Sequence, residues 1–305
     1  MSGDNNRPAW HKTLDESLYT PDEEEKAFMK ATTGIQDDEE LKRHIIAVQT
    51  RAFSAHKYPC IRMFEFMRLK IARLPAYPQF LQLGKDRKDA IFLDMGTCFG
   101  NDVRKAVVDG WPVENAIASD LHPALWEFGH ELFRSTPATF PVPLLQGDIL
   151  NPAFLAPAPL LPTSPDPPST PAPALASVTS LTALHGRVSA VFLGAFFHLF
   201  TYDQQTAIAR LLMGLLAPHP GAMLFGVQGG KAEKALWCPA PGTRMNCHCP
   251  DSWREMWEGL FADAGGRCEV RARLRADIGG QTLFGTYPDN TDAPFHVLEW
   301  SVTRL

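Results

Sequence analysis

No apolar run in the chain is long enough to span a bilayer, and no Lys/Arg-led hydrophobic leader follows Met1. Neither a membrane span nor an export signal is therefore expected. An excess of positive charge is missing too, since 29 Lys and Arg face 34 Asp and Glu for a net charge of −5. That balance disfavours a nucleic-acid binder driven by phosphate neutralisation and leaves a small molecule as the expected partner. Cysteine is sparse and unpatterned: Cys60, Cys98, Cys238, Cys247, Cys249 and Cys268 lack framework spacing, which fits reduced thiols in a soluble, cytoplasmic protein. The run Cys247-His248-Cys249 cannot easily converge on a tetrahedral ion, so no metal is expected.

What is present centres on Ile91-Phe92-Leu93-Asp94-Met95-Gly96-Thr97-Cys98-Phe99-Gly100-Asn101-Asp102. An apolar run ends in an acid and a glycine-punctuated turn, and the mixed pattern after it is helical. Strand, loop and helix in that order let backbone pass close beneath a nucleoside-like ligand. The spacing lacks the third glycine of the dinucleotide fingerprint, which points away from NAD. It suits a cofactor without phosphates and with a cationic amino-acid tail, for which Asp94 is an electrostatic partner; S-adenosylmethionine has that character. Two further acids end apolar runs. Ala116 to Ser119 leads to Asp120, placed to accept from ribose hydroxyls or to cap the helix from Pro123 to Phe133. Leu144 to Gln146 leads through Gly147 to Asp148 and Ile149.

At 305 residues the chain can bury a full core. Residues 1–85 read as an N-terminal helical cover or lid, with one helix at Asp38 to His56 and another at Ile61 to Leu74, whose basic residues fall mostly off the apolar face. Residues 86–305 read as the ligand-binding domain. A proline-dense stretch at 151–183 reads as an inserted mobile surface loop without a catalytic role. Strands follow at Val188 to Leu193 and Met223 to Val227, with a helix from Asp203 to Leu216 between them. Gln228 to Arg244 is charged and glycine-rich, and a helix capped by Pro250-Asp251-Ser252 runs to Ala264. Two last strands around Cys268–Leu274 and Phe295–Val302 are expected antiparallel at one edge. Strand-helix alternation with that terminal pair predicts an α/β fold, a doubly wound, mostly parallel seven-stranded sheet.

The set Phe92-Leu93-Asp94, Gly96, Cys98-Phe99-Gly100, Asp102, Arg104-Lys105, Asp109-Gly110, Asp120-Leu121, Glu131-Leu132-Phe133-Arg134 and Asp148-Ile149 resembles the S-adenosylmethionine-dependent methyltransferases of fungal meroterpenoid and polyketide pathways. Tyr58-Pro59-Cys60-Ile61-Arg62 and His248-Cys249-Pro250-Asp251-Ser252-Trp253-Arg254-Glu255-Met256-Trp257 are similar as well. The likeness covers most of the chain outside the proline-rich insert. It implies the Rossmann-like class I methyltransferase fold. It also places Asp94, Gly96 and Gly100 around the methionine moiety, Asp120 and Leu121 at the ribose, and Asp148 and Ile149 at the adenine, with Thr97, Cys98 and Gly194 as further cofactor-binding candidates. The implied reaction is methylation of a carboxyl or hydroxyl oxygen on a terpenoid or polyketide, with C-methylation as the alternative and a homodimer as a further expectation.

Methyl transfer needs nucleophile, methyl and sulfur held in line with water excluded. A carboxylate needs no base, whereas a hydroxyl does, and His198 just past the fourth strand is the candidate. Its other reading is a histidine that shapes the cleft through a backbone hydrogen bond. Trp10, Tyr19, Phe196, Phe197 and Trp237 are the candidates for lining an apolar substrate pocket, though each suits a core equally. A catalytically silent nucleoside-binding module and a dehydrogenase are the competing functional classes.

Overall fold

Five residues in a row, Ile91–Met95 (β1), are buried on both faces. That is how a strand reads when it has parallel neighbours on either side and helices above and below. In the computed structural model, which describes residues 13–164, 172–238, 244–276 and 296–305, β1 lies inside a seven-stranded sheet of order β3-β2-β1-β4-β5-β9-β8. The strands are β2 (Ala116–Asp120), β3 (Leu144–Gln146), β4 (Val188–Gly194), β5 (Met223–Gly230), β8 (Cys268–Ala276) and β9 (His296–Arg304). The pairings among β1 to β5 are parallel, and β9 runs antiparallel between β5 and β8.

The chain steps outward from β1 to β2 and β3, then returns to β4 on the other side of β1. This reversal opens a crevice past the carboxyl ends of β1 and β4, where open α/β sheets bind ligands. On one face, α4 (Tyr77–Asp86) and α5 (Asn101–Val108) cover the sheet. There Phe80 stacks on Trp111 at 4.3 Å between ring centroids, a pair that contributes about 0.5–1.5 kcal/mol beyond its buried area. The other face is covered by α7 (Tyr202–Leu215) and α8 (Pro250–Asp263), whose Ile208, Leu212, Trp253 and Trp257 share a core with Leu193, Leu298 and Trp300. A capping box between Thr201 and Gln204 starts α7. The thiol of Cys249 caps α8 by accepting from the Ser252 N–H, so the cap lies one residue before the expected Pro250-Asp251-Ser252.

Ahead of the sheet, α1 (Glu23–Thr33), α2 (Asp38–Ala55) and α3 (Pro59–Arg62) pack with α6 (Pro123–Leu132) around Phe28, Ile45, Phe64, Phe99 and Phe133. Residues 61–74 depart from the expected continuous helix. They form short turns, with Phe64 in the left-handed region at φ 56°. Every residue from Ile61 to Ile71 is buried, so the segment has no solvent face for a helix to present. Its basic residues sit inside: Arg68 bonds Glu25 at 2.7 Å, and Arg73 reaches the same carboxylate at 3.1 Å and Asp22 as well.

The insert also departs from expectation. Its described residues are docked, with Leu155, Leu160, Leu175, Val178 and Leu181 buried in the α7/α8 core. Ser164 donates its N–H to the Pro218 carbonyl at 2.9 Å, and the Arg304 guanidinium donates to the Leu161 carbonyl. Two three-residue strands, β6 (Ala235–Trp237) and β7 (Met245–Cys247), form a hairpin that the glycine-rich stretch did not announce. Phe295 lies outside the described residues. Among the described residues, no helix is long and apolar enough to cross a membrane, and no group of three His, Cys, Asp or Glu could hold a metal ion.

Candidate active site

The loop that leaves β1 folds back over β2. Gly96 and Thr97 both donate their N–H to the Ser119 carbonyl, at 2.8 and 3.1 Å. Gly96 sits at φ 73°, and a Cβ there would stand 2.8 Å from the Phe196 ring, so glycine is required by both conformation and space. Gly100 is glycine on both grounds too: it sits at φ 72°, and a Cβ would meet Trp126 at 2.5 Å and Arg104 at 2.8 Å. Gly194, at the end of β4, faces the Phe192 ring and the Lys70 stem, which puts a cover residue at the floor of the crevice.

Asp94 is 2 % exposed, and its Oδ2 accepts from Thr97 Oγ1 at 2.6 Å. Burial, reinforced by the nearby Asp102 carboxylate, pushes its pKa up to about 8. Asp102 at the start of α5 accepts the Ile71 N–H at 2.9 Å and is pushed up to about 6 by burial, against the pull of Lys70. The Lys70 ammonium donates to the Glu65 carbonyl at 2.7 Å. Two buried acids at one strand end therefore lean toward their neutral forms, an electrostatic setting that a cationic ligand would relieve. At β2, Asp120 receives the Cys98 N–H on one oxygen and the His122 N–H on the other, each at 2.9 Å. Both oxygens keep a lone pair for a diol. His122, not Asp120, occupies the N-cap of α6.

These features fit S-adenosylmethionine: a backbone cradle at Gly96 to Cys98, buried acids for the cationic tail and sulfonium, and a fixed carboxylate for the ribose. The cover closes on the same loop. Asn101 donates from Nδ2 to the Arg68 carbonyl at 2.6 Å, Tyr58 and His122 share a 2.8 Å hydrogen bond, and the free Cys98 thiol is held well above its usual pKa by a hydrogen bond with the Cys60 thiol and by burial.

Other expected residues fall in different places. Leu121 is exposed beside Asp120, where a ligand rim is expected. Asp148 is exposed and accepts the Leu150 N–H, while Ile149 is buried in the core. Because β3 stops at Gln146, that pair lies beyond the strand and only the acid faces outward. Phe197 sits in the core, fully buried against Trp253 at 5.0 Å and Trp300 at 5.8 Å. Phe196 lies over Gly96, Trp237 is partly exposed on the β6–β7 hairpin, and Tyr19 packs inside the cover against Phe64. Trp10 lies outside the described residues.

His198 stands in the turn after β4, buried, with its Nδ1 accepting the Gly229 N–H at 3.0 Å. Burial drives its pKa down to about 4. The imidazole is therefore neutral with its hydrogen on Nε2, a donor and not a base. The sequence-based reading gives Asp102, Lys70, Tyr58 and His122 no role in the site. Asp102 and Tyr58 stand in the family-like motifs without one, and Lys70 falls with the basic residues off the apolar face of a helix.

Fold and site together define a class I S-adenosylmethionine-dependent methyltransferase. Residues 13–67 match the meroterpenoid methyltransferase N-terminal domain. The chain is 30% identical over 241 residues to O-methyltransferase phiE of a fungal species, covering 78% of this chain and 71% of that protein. It is 31% identical over 244 residues to O-methyltransferase atr3 of Stereocaulon alpinum, where it spans 79% of this chain but 63% of atr3. Against the asnovolin E/chermesin D methyltransferase nvfJ of Aspergillus novofumigatus it is 28% identical, covering 80% of this chain and 81% of the relative. The chain belongs to this family of fungal meroterpenoid and polyketide methyltransferases.

Proposed function

We propose that the protein methylates a carboxyl oxygen of a small, largely apolar terpenoid or polyketide acid. When bound, S-adenosylmethionine supplies a methyl group on a positively charged sulfur, open to in-line displacement by an oxygen nucleophile. Asp94, Gly96 and Cys98 hold the methionine end in this reading, Asp120 and Leu121 the ribose, and Asp148 the adenine side. The cover walls the site from water, which strengthens every charge interaction within it. Similarity to relatives named O-methyltransferases supports oxygen as the acceptor.

The observation that carries the choice of a carboxyl is the Gly229–His198 bond. A hydroxyl acceptor needs its proton removed, and the imidazole nitrogen with a lone pair is already engaged by that N–H. A carboxylate arrives without the proton. His198 then shapes the end of the crevice through its bond from Gly229. Six free thiols support a cytosolic setting.

Incubation with isotopically labelled S-adenosylmethionine and a panel of aromatic and terpenoid acids, read by mass spectrometry, tests this directly. Label should appear in an ester that mild alkali cleaves. Label in an alkali-stable ether, with the free acid left unmodified, would overturn the carboxyl assignment.

A further inference from the structure

Lys70 is buried, yet its ammonium has little to bond. Of its three hydrogens, one goes to the Glu65 carbonyl at 2.7 Å. The Glu65 carboxylate stands off at 4.0 Å, beyond hydrogen-bond reach, and among the described residues these are its polar partners. A buried charge with unmet hydrogens destabilises the fold, so packing alone does not call for a lysine here. Its place is fixed from two sides. The stem passes beneath the last residue of β4, where a Cβ on Gly194 would meet Lys70 Cδ at 3.7 Å. The chain around it is tied to the start of α5, through the Arg68 carbonyl accepting from Asn101 Nδ2 at 2.6 Å and the Ile71 N–H donating to Asp102 at 2.9 Å. After burial, the Lys70 charge is the next influence on the Asp102 carboxyl. It also acts on the Cys98 thiol, behind the Cys60 hydrogen bond and burial. The ammonium therefore lies between the carboxyl end of β4 and the first turn of α5, on the side of the crevice bounded by the Gly96–Gly100 loop. No side chain caps α5, so the positive end of that helix points to the same place.

An under-bonded ammonium beside two buried acids, Asp94 and Asp102, is complementary to a ligand that carries both charges on one carbon. The amino-acid end of S-adenosylmethionine is such a group, an α-ammonium next to an α-carboxylate. We propose that Lys70 is the counter-ion of that α-carboxylate, so that the cover, and not the sheet alone, selects the cofactor by its zwitterionic tail. The two unmet hydrogens of Lys70 donate to the carboxylate, and the acids at the end of β1 and the start of α5 face the ammonium. Hydrogen bonds between two charged groups are the strong kind, and stronger still away from water. A nucleoside thioether that lacks the carboxylate leaves the lysine unmet and sets its own ammonium against it, so the site rejects by omission. This assignment rests on the cofactor reading above and adds the residue that reads the carboxylate.

The test is calorimetry on the full chain with three probes: S-adenosylhomocysteine, the same molecule without its carboxyl group, and methylthioadenosine, which has neither tail charge. The wild type should bind S-adenosylhomocysteine at least about tenfold more tightly than its decarboxylated form, the order of one hydrogen bond to a charged group. Lys70→Met should lose that factor for S-adenosylhomocysteine, hold or gain affinity for the decarboxylated form, and leave methylthioadenosine unchanged. Lys70→Gln, also uncharged, should behave in the same way and serves if the methionine variant does not fold. Equal binding of the first two probes to the wild type, or a preference for the carboxylate that persists in the variants, would overturn the assignment. So would a parallel loss of methylthioadenosine, or failure of both variants to fold, because Lys70 would then hold the loop and not the ligand. A wild type that binds none of the three probes would instead refute the cofactor reading.

Discussion

The N-terminal cover and the proline-rich insert are both additions to the seven-stranded sheet, yet they are fastened to it by different chemistry. The cover brings buried charge: Glu25 with Arg68 and Arg73, Lys70 against Glu65, and polar ties from Asn101 to Arg68 and from Ile71 to Asp102. The insert brings isolated leucines and a few backbone hydrogen bonds. Polar ties depend on geometry, whereas leucines need only fill space. The cover's ties end on the first turn of α5 and on the Gly96–Gly100 loop, so disturbing the cover should reach the cofactor. The insert fills the opposite face around α7 and α8, so disturbing it should reach stability alone.

The sharpest way to break this contrast is at Glu25, whose carboxylate is fully buried between two arginines. Glu25→Ala leaves both guanidinium groups without their partner and should cost about 3–5 kcal/mol. Chemical denaturation should show that loss, with S-adenosylhomocysteine affinity falling alongside. Intact affinity at reduced stability would separate the cover from the site.

Leu181→Ala in the insert removes a fully buried side chain and should cost about 2–5 kcal/mol. Cofactor affinity should hold in the fraction that stays folded. By the same reasoning, excising residues 157–173 should be felt in the melting temperature, because Leu160 and the Leu161 carbonyl are anchored; a freely removable loop would leave it unmoved.

At the site itself, Asp120→Ala removes the acceptor that fixes the Cys98 and His122 N–H groups as well as the proposed ribose contact. Calorimetry should record a loss of about 1–3 kcal/mol in cofactor binding, with a smaller change in stability than either substitution above.

The last effect expected is one of pH. Asp94 and Asp102 have native pKa values near 8 and 6 against an ordinary 3.8. Across that window the native state keeps protons that the unfolded chain has released, so stability should decline as pH rises from about 4 to about 8. Binding of a sulfonium should release a proton and strengthen toward pH 8. A melting temperature that climbs over this range without ligand would show that the acids are ionised by a partner other than the cofactor.

Much of this contrast was legible in the sequence on one side only. The apolar run ending at Asp94, the glycines at 96 and 100, the acid at 120 and the terminal strand pair all sit where local pattern placed them, because parallel strands and tight turns constrain residue type position by position. The segment 61–74 carried a helical period, but burial on all sides erases the polar face that gives a period its meaning. Proline density in the insert correctly excluded regular structure. It could not exclude docking, since Leu155, Leu160, Leu175 and Leu181 follow no repeat and find their places only once α7 and α8 exist.

Strand β1 has one further consequence, in time and not in space. Its partner on one side, β2, follows within a few turns of chain, but Ile91 meets Val188 on the other, with the insert lying between. At 5–20 residues per second on the ribosome, that separation leaves the β4-facing edge of β1 uncovered for roughly 5 to 20 s. An apolar, unpaired edge is the surface on which nascent chains stick to one another. Gly194, at the far end of the late-arriving strand, also closes the floor of the cofactor crevice, so the ligand gains its binding place only when that waiting period is over. A chaperone that shields this edge, or a slower passage through the codons for the insert, would govern yield without altering the finished enzyme.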